Sequence, residues 1–246
     1  RYEVSDFSGY NEATGRWILK EGVQDVSTSV LGHYARPGDI KLKDLGDKDG
    51  TVTTDDREIL GNTNPKSTGG FSISGRAKGF DLTANFNWMY GNKVYNANKI
   101  EFTSSRKYSY RNMIDIMADG KRWTNLLSDG TISNDPVQLA QMNANTTMWS
   151  PYLGYALLTD WAVEDGSFLR LSTLSLGYTI PEELTNKVGI SNLRFYVTGY
   201  NVFCWTNYSG YDPEVDTRRA TPLTPNVDDS AYPKSRQIVF GVNLNF

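Results

Sequence analysis

Phe80-Asp81-Leu82-Thr83-Ala84-Asn85-Phe86-Asn87-Trp88-Met89-Tyr90 alternates along its whole length, with Phe, Leu, Ala, Phe, Trp and Tyr at the even positions and mostly polar residues between them. Period-two alternation puts successive side chains on opposite faces of a β-strand, so this stretch has one greasy face and one wet face. The pattern recurs around Leu193, where Leu193, Phe195, Val197 and Phe203 oppose Arg194, Tyr196, Thr198 and Tyr200. It returns at the end of the chain, with Ile238, Phe240, Val242, Leu244 and Phe246 set against Val239, Gly241, Asn243 and Asn245. Two further strands are expected, at 68–77 with Phe71 and Ile73 on one side, and at 168–180 with Leu174, Leu176, Tyr178 and Ile180. The second loses phase near Ser172, which predicts a bulge. Each run is close to the roughly 9 to 11 residues that a tilted strand needs to cross a bilayer.

The connections alternate in size. Ala77-Lys78-Gly79 is a tight turn, 91–166 is very long, 181–191 is short and 206–235 is long. Short turns at one end and long loops at the other describe an outer-membrane barrel, and the chain ends on the short-turn side. Inside the short connection, Pro181-Glu182-Glu183-Leu184 reads as one helical turn with carboxylates at its positive end, and Gly189 is placed to stop it. Glu182 and Glu183 are adjacent, so they do not face each other as a catalytic pair would. The expected fold class is therefore all-β, part of a transmembrane antiparallel β-barrel. Loops at 36–66, 92–166 and 206–235 are assigned to the extracellular side.

The 246 residues are 39% hydrophobic with 22 Gly and 15 Tyr, an ordinary composition that decides little. The apolar runs are far short of the roughly 18 residues of a membrane-spanning helix, so a membrane would be crossed by strands. A net charge of −3 without a basic cluster argues against nucleic acid as a partner. The single cysteine, Cys204, allows no internal disulfide or CxxC metal site and reads as a packed apolar residue. Arg1-Tyr2-Glu3-Val4 starts in mid-pattern without a leader's features, so the chain is expected to be part of something longer.

The sharpest local motif runs from Asp44 through Asp47, Asp49, Gly50 and Thr51 to Asp56. Alternate carboxylates, a glycine for the turn and a later Asp are what an oxygen-coordinated Ca²⁺ loop requires. With Gly50 at the glycine position, Asp47, Asp49, the Thr51 carbonyl and Asp56 fall on ligand positions; Leu45 holds the first position and Asp44 lies one residue away. The alternative is a self-capping acidic turn whose side chains bond their own backbone.

Aromatic residues crowd the long loops. Trp123, Trp149 and Tyr152 are the candidates for stacking on substrate, beside Trp161, Tyr208 and Tyr211, although loop packing explains such residues equally well. Trp88, Tyr90, Phe203 and Trp205 lie at strand ends, where barrels carry aromatic girdles. No enzyme is expected. His33 is the only histidine and reads as a surface-loop residue, and neither a nucleophile elbow nor a phosphate-cradling glycine loop is present.

Several blocks resemble the C-terminal barrel region of SusC/RagA-like TonB-dependent outer-membrane transporters: Pro37-Gly38-Asp39-Ile40-Lys41, Leu60-Gly61-Asn62-Thr63-Asn64-Pro65-Lys66, Lys78-Gly79-Phe80-Asp81-Leu82, Glu164-Asp165-Gly166-Ser167-Phe168-Leu169-Arg170-Leu171, Ser175-Leu176-Gly177-Tyr178, Tyr208-Ser209-Gly210-Tyr211-Asp212-Pro213-Glu214 and the terminal Phe246. The resemblance runs from about Pro37 to the end. It implies a plug inside a barrel of about 22 strands, of which this chain would supply six to eight. It also implies import of oligosaccharides or peptides across the outer membrane, a SusD-like surface lipoprotein as partner, TonB as energy source through a region absent here, and a lipid-facing wall. Phe246 would end the assembly signal. The acidic loop departs from the family's tighter D-x-N-G-D-G version by an apparent insertion at Gly46.

Two other readings compete. A soluble β-sandwich that binds carbohydrate would bury Phe80, Phe86, Phe195 and Phe240 between two facing sheets. An outer-membrane hydrolase would need a catalytic cluster among His33 and the loop acids.

Overall fold

The computed structural model describes residues 1–105, 112–217 and 224–246, so the parts of the predicted long loops at 106–111 and 218–223 lie outside the described residues. The chain divides into two compact units, residues 1–60 with 97–162, and residues 61–96 with 163–246.

In the first unit, β1 (Phe7–Asn11) and β2 (Arg16–Leu19) form an antiparallel hairpin, and β3 (Asp25–Val26) pairs in parallel with β4 (Thr51–Val52). Helix α1 (Thr28–Leu31) ends at Gly32, whose left-handed conformation closes the turn. Tyr2, Phe7, Val26, Leu31, Ala35 and Val52 make the core, with Trp17 and Leu19 packed against it. From the later segment come α2 (Ala97–Glu101) and α3 (Pro136–Met142). Asp135 caps α3 by accepting from the Val137 N–H at 2.8 Å, with proline at the first turn. Most of the expected loops 36–66 and 92–166 therefore belong to one unit, in which Met117 and Leu139 are buried.

The second unit is built on β5 (Ser67–Ala77), β6 (Phe80–Tyr90), β9 (Phe168–Thr179), β10 (Asn192–Thr206) and β12 (Gln237–Asn245), with β7 (Lys93–Asn96), β8 (Val163–Asp165) and β11 (Val227–Asp228) in a separate small sheet. The five long strands form one antiparallel sheet in the order β12-β10-β9-β6-β5. Lys78 and Gly79, with φ of 49° and 84°, close the β5–β6 hairpin in two residues; positive φ at both positions matches the strand twist. Helix α4 (Glu182–Thr185) follows Pro181, and Gly189 ends the short helical connection at φ 74°.

Among the described residues, five strands are long enough for a crossing, against the six to eight that the resemblance implies. The remaining alternating pieces are two to five residues long and pair in small sheets, well below the roughly 9 residues a crossing needs.

The bulge predicted near Ser172 is present: β6 pairs Asn85 with Thr173 and then Phe86 with Leu171, which leaves Ser172 over. Opposite it, β10 passes from Tyr200 to Phe203 while β9 passes from Thr173 to Leu171. These offsets keep Leu169 and Leu171 on the same face as Leu174, Leu176 and Tyr178. That face carries Phe80, Leu82, Phe195 and Phe240, and it is uncovered, with Phe80 53%, Phe195 47% and Phe240 80% exposed. Phe86 is half-buried among its neighbours on the same sheet, stacked on Phe71 of the adjacent strand with ring centroids 4.6 Å apart. The sandwich reading required these rings to be enclosed between sheets, and it fails on this observation. The opposite face holds Asp81, Thr83, Asn85, Ser175, Thr198 and Asn243. Among the described residues, β5 and β12 each have one unpaired edge.

Candidate functional site

The acidic loop brings together three of its five expected ligands. Asp44, Asp47 and Asp49 each place a carboxylate oxygen within 4.8 Å of the other two. Asp44, which is buried, accepts from the N–H groups of Lys48 at 3.0 Å and Gly50 at 2.8 Å, and Asp49 accepts from Thr51 at 2.7 Å. Lys48 and Gly50 take φ of 58° and 91°, so two left-handed residues fold the backbone around the carboxylates. Thr51 itself is paired in β4 against Asp25.

Asp56 stands outside the triad. One of its oxygens accepts from Leu45 at 2.9 Å and Gly46 at 2.8 Å, and the other accepts from Thr53 at 2.7 Å, closing a reciprocal cap. Backbone donation, from Thr53 first and then from Gly46, holds its carboxyl down at about 2. The Thr53-x-x-Asp56 spacing is the signature of such a cap, and it could have been read from the sequence. The loop therefore combines self-capping with three clustered carboxylates that can still offer lone pairs to a cation.

The three aromatic candidates separate. Trp123 is 3% exposed, with the Arg1 guanidinium 5.5 Å from its ring centroid and the backbone of Gly38 lying close against it. Tyr152 is 59% exposed. Both line a cavity of about 1050 Å³ in the first unit. Trp149 is outside that lining; it packs edge-on against Trp161 at 4.7 Å, and its buried Nε1 has no hydrogen-bond partner among the described residues. His33 is half-buried rather than a free surface residue: its Nε2 lies 2.9 Å from Asp39, which also accepts from the Arg36 N–H at 2.9 Å.

A polar anchor that alternation does not reveal holds the chain beyond β10. Arg170, on the wet face of β9, donates to Asp212 and to Asn201, each at 2.6 Å. Arg170 and Asp212 are both buried. Tyr208 donates to buried Asp228 at 2.6 Å and packs with Val94 and Val215. Burial, reinforced by the Asp228 carboxylate, pushes the Tyr208 hydroxyl far above its ordinary range.

No family model matches the chain. Curated relatives do. TonB-dependent receptor P3 of Formosa agariphila is 29% identical over 99% of this chain and 22% of its own length, and receptor P39 of the same organism is 30% identical over 86% and 19%. TonB-dependent receptor SusC of Bacteroides thetaiotaomicron is 25% identical over 59% of this chain and 14% of its own length. Among solved structures, the RagAB peptide transporter matches with a TM-score of 0.57 at 27% identity, over 79% of this chain and 19% of that one. Its closed-closed state matches at 0.56 and 25%, over 98% and 22%. Over the stretch that matches, the chain is similar to TonB-dependent receptors of the SusC/RagA kind.

TonB-dependent receptors are outer-membrane β-barrel proteins, and the outer membrane is the location of this chain. Its relatives are receptors and transporters, not enzymes. The chain spans about a fifth of the length of the curated relatives that match most of it. In this SusC/RagA-like chain the recognised blocks fall at structural junctions. Gly38 and Asp39 sit beside Trp123 and His33, the block 164–171 carries Arg170, and the block 208–214 carries Tyr208 and Asp212.

Proposed function

We propose that this chain is wall and loop of a TonB-dependent importer that carries oligosaccharides or peptides across the outer membrane. The observation that supports this reading is the uncovered apolar face of the five-stranded sheet, backed by a polar face and joined by short connections at one end. In lipid, an open sheet edge is prohibitive because its backbone groups have no water to bond. The edges of β5 and β12 are therefore closed by strands outside this chain, in a barrel of about 22 strands. The loops at 36–66, 92–166 and 206–235 face outward from the cell, where a SusD-like lipoprotein docks, and TonB acts through a plug outside this chain.

The test is fractionation and uptake with the intact receptor. It is expected in the detergent-resistant outer-membrane fraction, with heat-dependent migration on gels and TonB-dependent uptake of its nutrient. Recovery as a soluble protein without detergent would refute the wall. Assembly into the membrane without any TonB-dependent uptake would refute the importer.

For the acidic loop, the finer reading is a Ca²⁺ site on Asp44, Asp47 and Asp49. Three clustered carboxylates repel one another, and an all-oxygen donor set suits a hard cation. Calcium is expected to raise the melting temperature of the intact receptor, and the rise is expected to vanish in Asp47→Asn with Asp49→Asn. An identical melting curve with calcium and with chelator removes the assignment.

A further inference from the structure

The cavity in the first unit has a lining that import alone does not explain. Its charged residues are Arg16, Arg36 and Arg122, against a single carboxylate, Asp39. Asp39 is buried and already holds His33 and the Arg36 backbone. The cavity therefore presents a net positive field to anything that enters it. Arg36 and Arg122 are each engaged by a carboxylate, Arg36 by Asp39 at 3.5 Å and Arg122 by Asp119, with the Met117 carbonyl also accepting from Arg122 at 2.7 Å.

Arg16 differs. It is exposed, has no carboxylate partner among the described residues, and its guanidinium carbon lies 3.6 Å from the centroid of the Tyr34 ring. Stacking on a ring fixes the plane of a guanidinium without using its N–H donors. Arg16 is thus held flat with its fork available to an acid group, which it can bind through two parallel hydrogen bonds. Tyr152, also on the lining, offers an exposed ring, and Asn125 adds an amide that can both donate and accept. An exposed ring face in a lining that also carries amide and guanidinium donors complements a sugar chain, whose apolar faces alternate with hydroxyl edges.

We propose that this cavity binds a negatively charged oligosaccharide, with a sugar face on Tyr152 and its carboxylate or sulfate groups on Arg16, assisted by Arg36 and Arg122. The volume of about 1050 Å³ accommodates a ligand larger than a single sugar. This rests on the import reading and names the class of nutrient.

The experiment is calorimetric titration of the intact detergent-purified receptor with oligogalacturonate, a neutral glucan of matched length and a glutamate-rich peptide of matched length. Oligogalacturonate is expected to bind at least about tenfold tighter than the neutral glucan. Arg16→Gln is expected to weaken it by about tenfold and to flatten its salt dependence, as the loss of one charge-assisted contact should. Tyr152→Ala is expected to weaken it comparably with the salt dependence intact. Equal binding of the neutral glucan, binding of the peptide alone, or wild-type affinity in either variant overturns the proposal. Barrel assembly is scored separately by heat-dependent migration. An assembled barrel that binds no acidic glycan overturns the cavity assignment alone, whereas a chain that forms no barrel overturns the wall reading beneath it.

Discussion

On the five-stranded sheet, Ile73, Phe80, Leu82, Phe195, Ile238 and Phe240 stand exposed, whereas in the unit of residues 1–60 and 97–162, Tyr2, Val26, Met117 and Leu139 are almost fully buried. Both regions have an ordinary proportion of apolar residues; they differ in where the backbone aims them. Burying a large apolar side chain is worth about 1.5 to 3 kcal/mol, so a face that leaves many of them uncovered is unstable in water. The same face is stable against hydrocarbon, which replaces the missing core. On the proposed wall reading, one chain is written for two solvents, with lipid completing the sheet and the protein interior completing the other unit.

The largest effect should come where the sheet departs from its own rule by burying a charge. Among the described residues, Arg170→Ala leaves buried Asp212 with only the Glu214 N–H at 2.9 Å and the Lys234 ammonium at 3.9 Å, and losing one member of a buried pair typically costs about 3 to 5 kcal/mol. A lower urea midpoint of the intact receptor and faster proteolytic nicking within 206–235 are expected; unchanged values for both would show that the anchor is dispensable. The two-solvent reading is tested more directly by a pair of charges on opposite faces. Leu176→Arg lies on the outward face, and a cation near the bilayer midplane costs about 2 to 4 kcal/mol, whereas Ser74→Arg on the inward face should cost little. Folding into phospholipid vesicles at graded urea measures both, and equal costs would refute the assignment of the faces.

What the sequence disclosed follows the same division. Residues 80–90 were legible to both ends because alternation is local and strict, and Ser172 was legible because it breaks that alternation. The offset after Tyr200 was not, since Asn201 and Val202 fit either phase. The core of the unit containing residues 97–162 was not legible, because it joins residues far apart in sequence, with Met117 and Leu139 scattered in polar surroundings. In the acidic loop, spacing announced Asp47 and Asp49, and the Thr53-x-x-Asp56 spacing carried the cap that turns Asp56 to backbone donors instead. The Arg170–Asp212 pair, 42 residues apart, becomes visible only once strand register turns Arg170 inward.

The first unit can be probed at the point where its backbone touches a ring. Gly38 has φ +90°, and a Cβ there would overlap Trp123. Left-handed strain and overpacking together predict that Gly38→Ala costs about 2 to 3 kcal/mol. The Trp123 environment should change in parallel, read as near-ultraviolet circular dichroism against a Trp123→Phe reference. A wild-type spectrum and unchanged stability would show that the ring moves aside freely.

The smallest of the effects has a pH signature. Tyr208→Phe removes the hydroxyl that donates to buried Asp228 at 2.6 Å, a charge-assisted bond worth about 1.5 to 3 kcal/mol. Because the folded protein raises the ionisation of Tyr208 above the unfolded value of about 10, its contribution is complete below that pH. Above it, the unfolded chain releases a proton that the folded chain retains, so stability falls as pH rises. Wild-type receptor should therefore lose its 206–235 anchor progressively above about pH 10, seen as protease nicking there, while Tyr208→Phe starts weaker and shows less of that alkaline loss. Parallel curves for the two proteins would mean that other groups control the alkaline transition. Leu176 and Phe240 on the sheet's outward face carry no titratable group and contribute nothing to that slope.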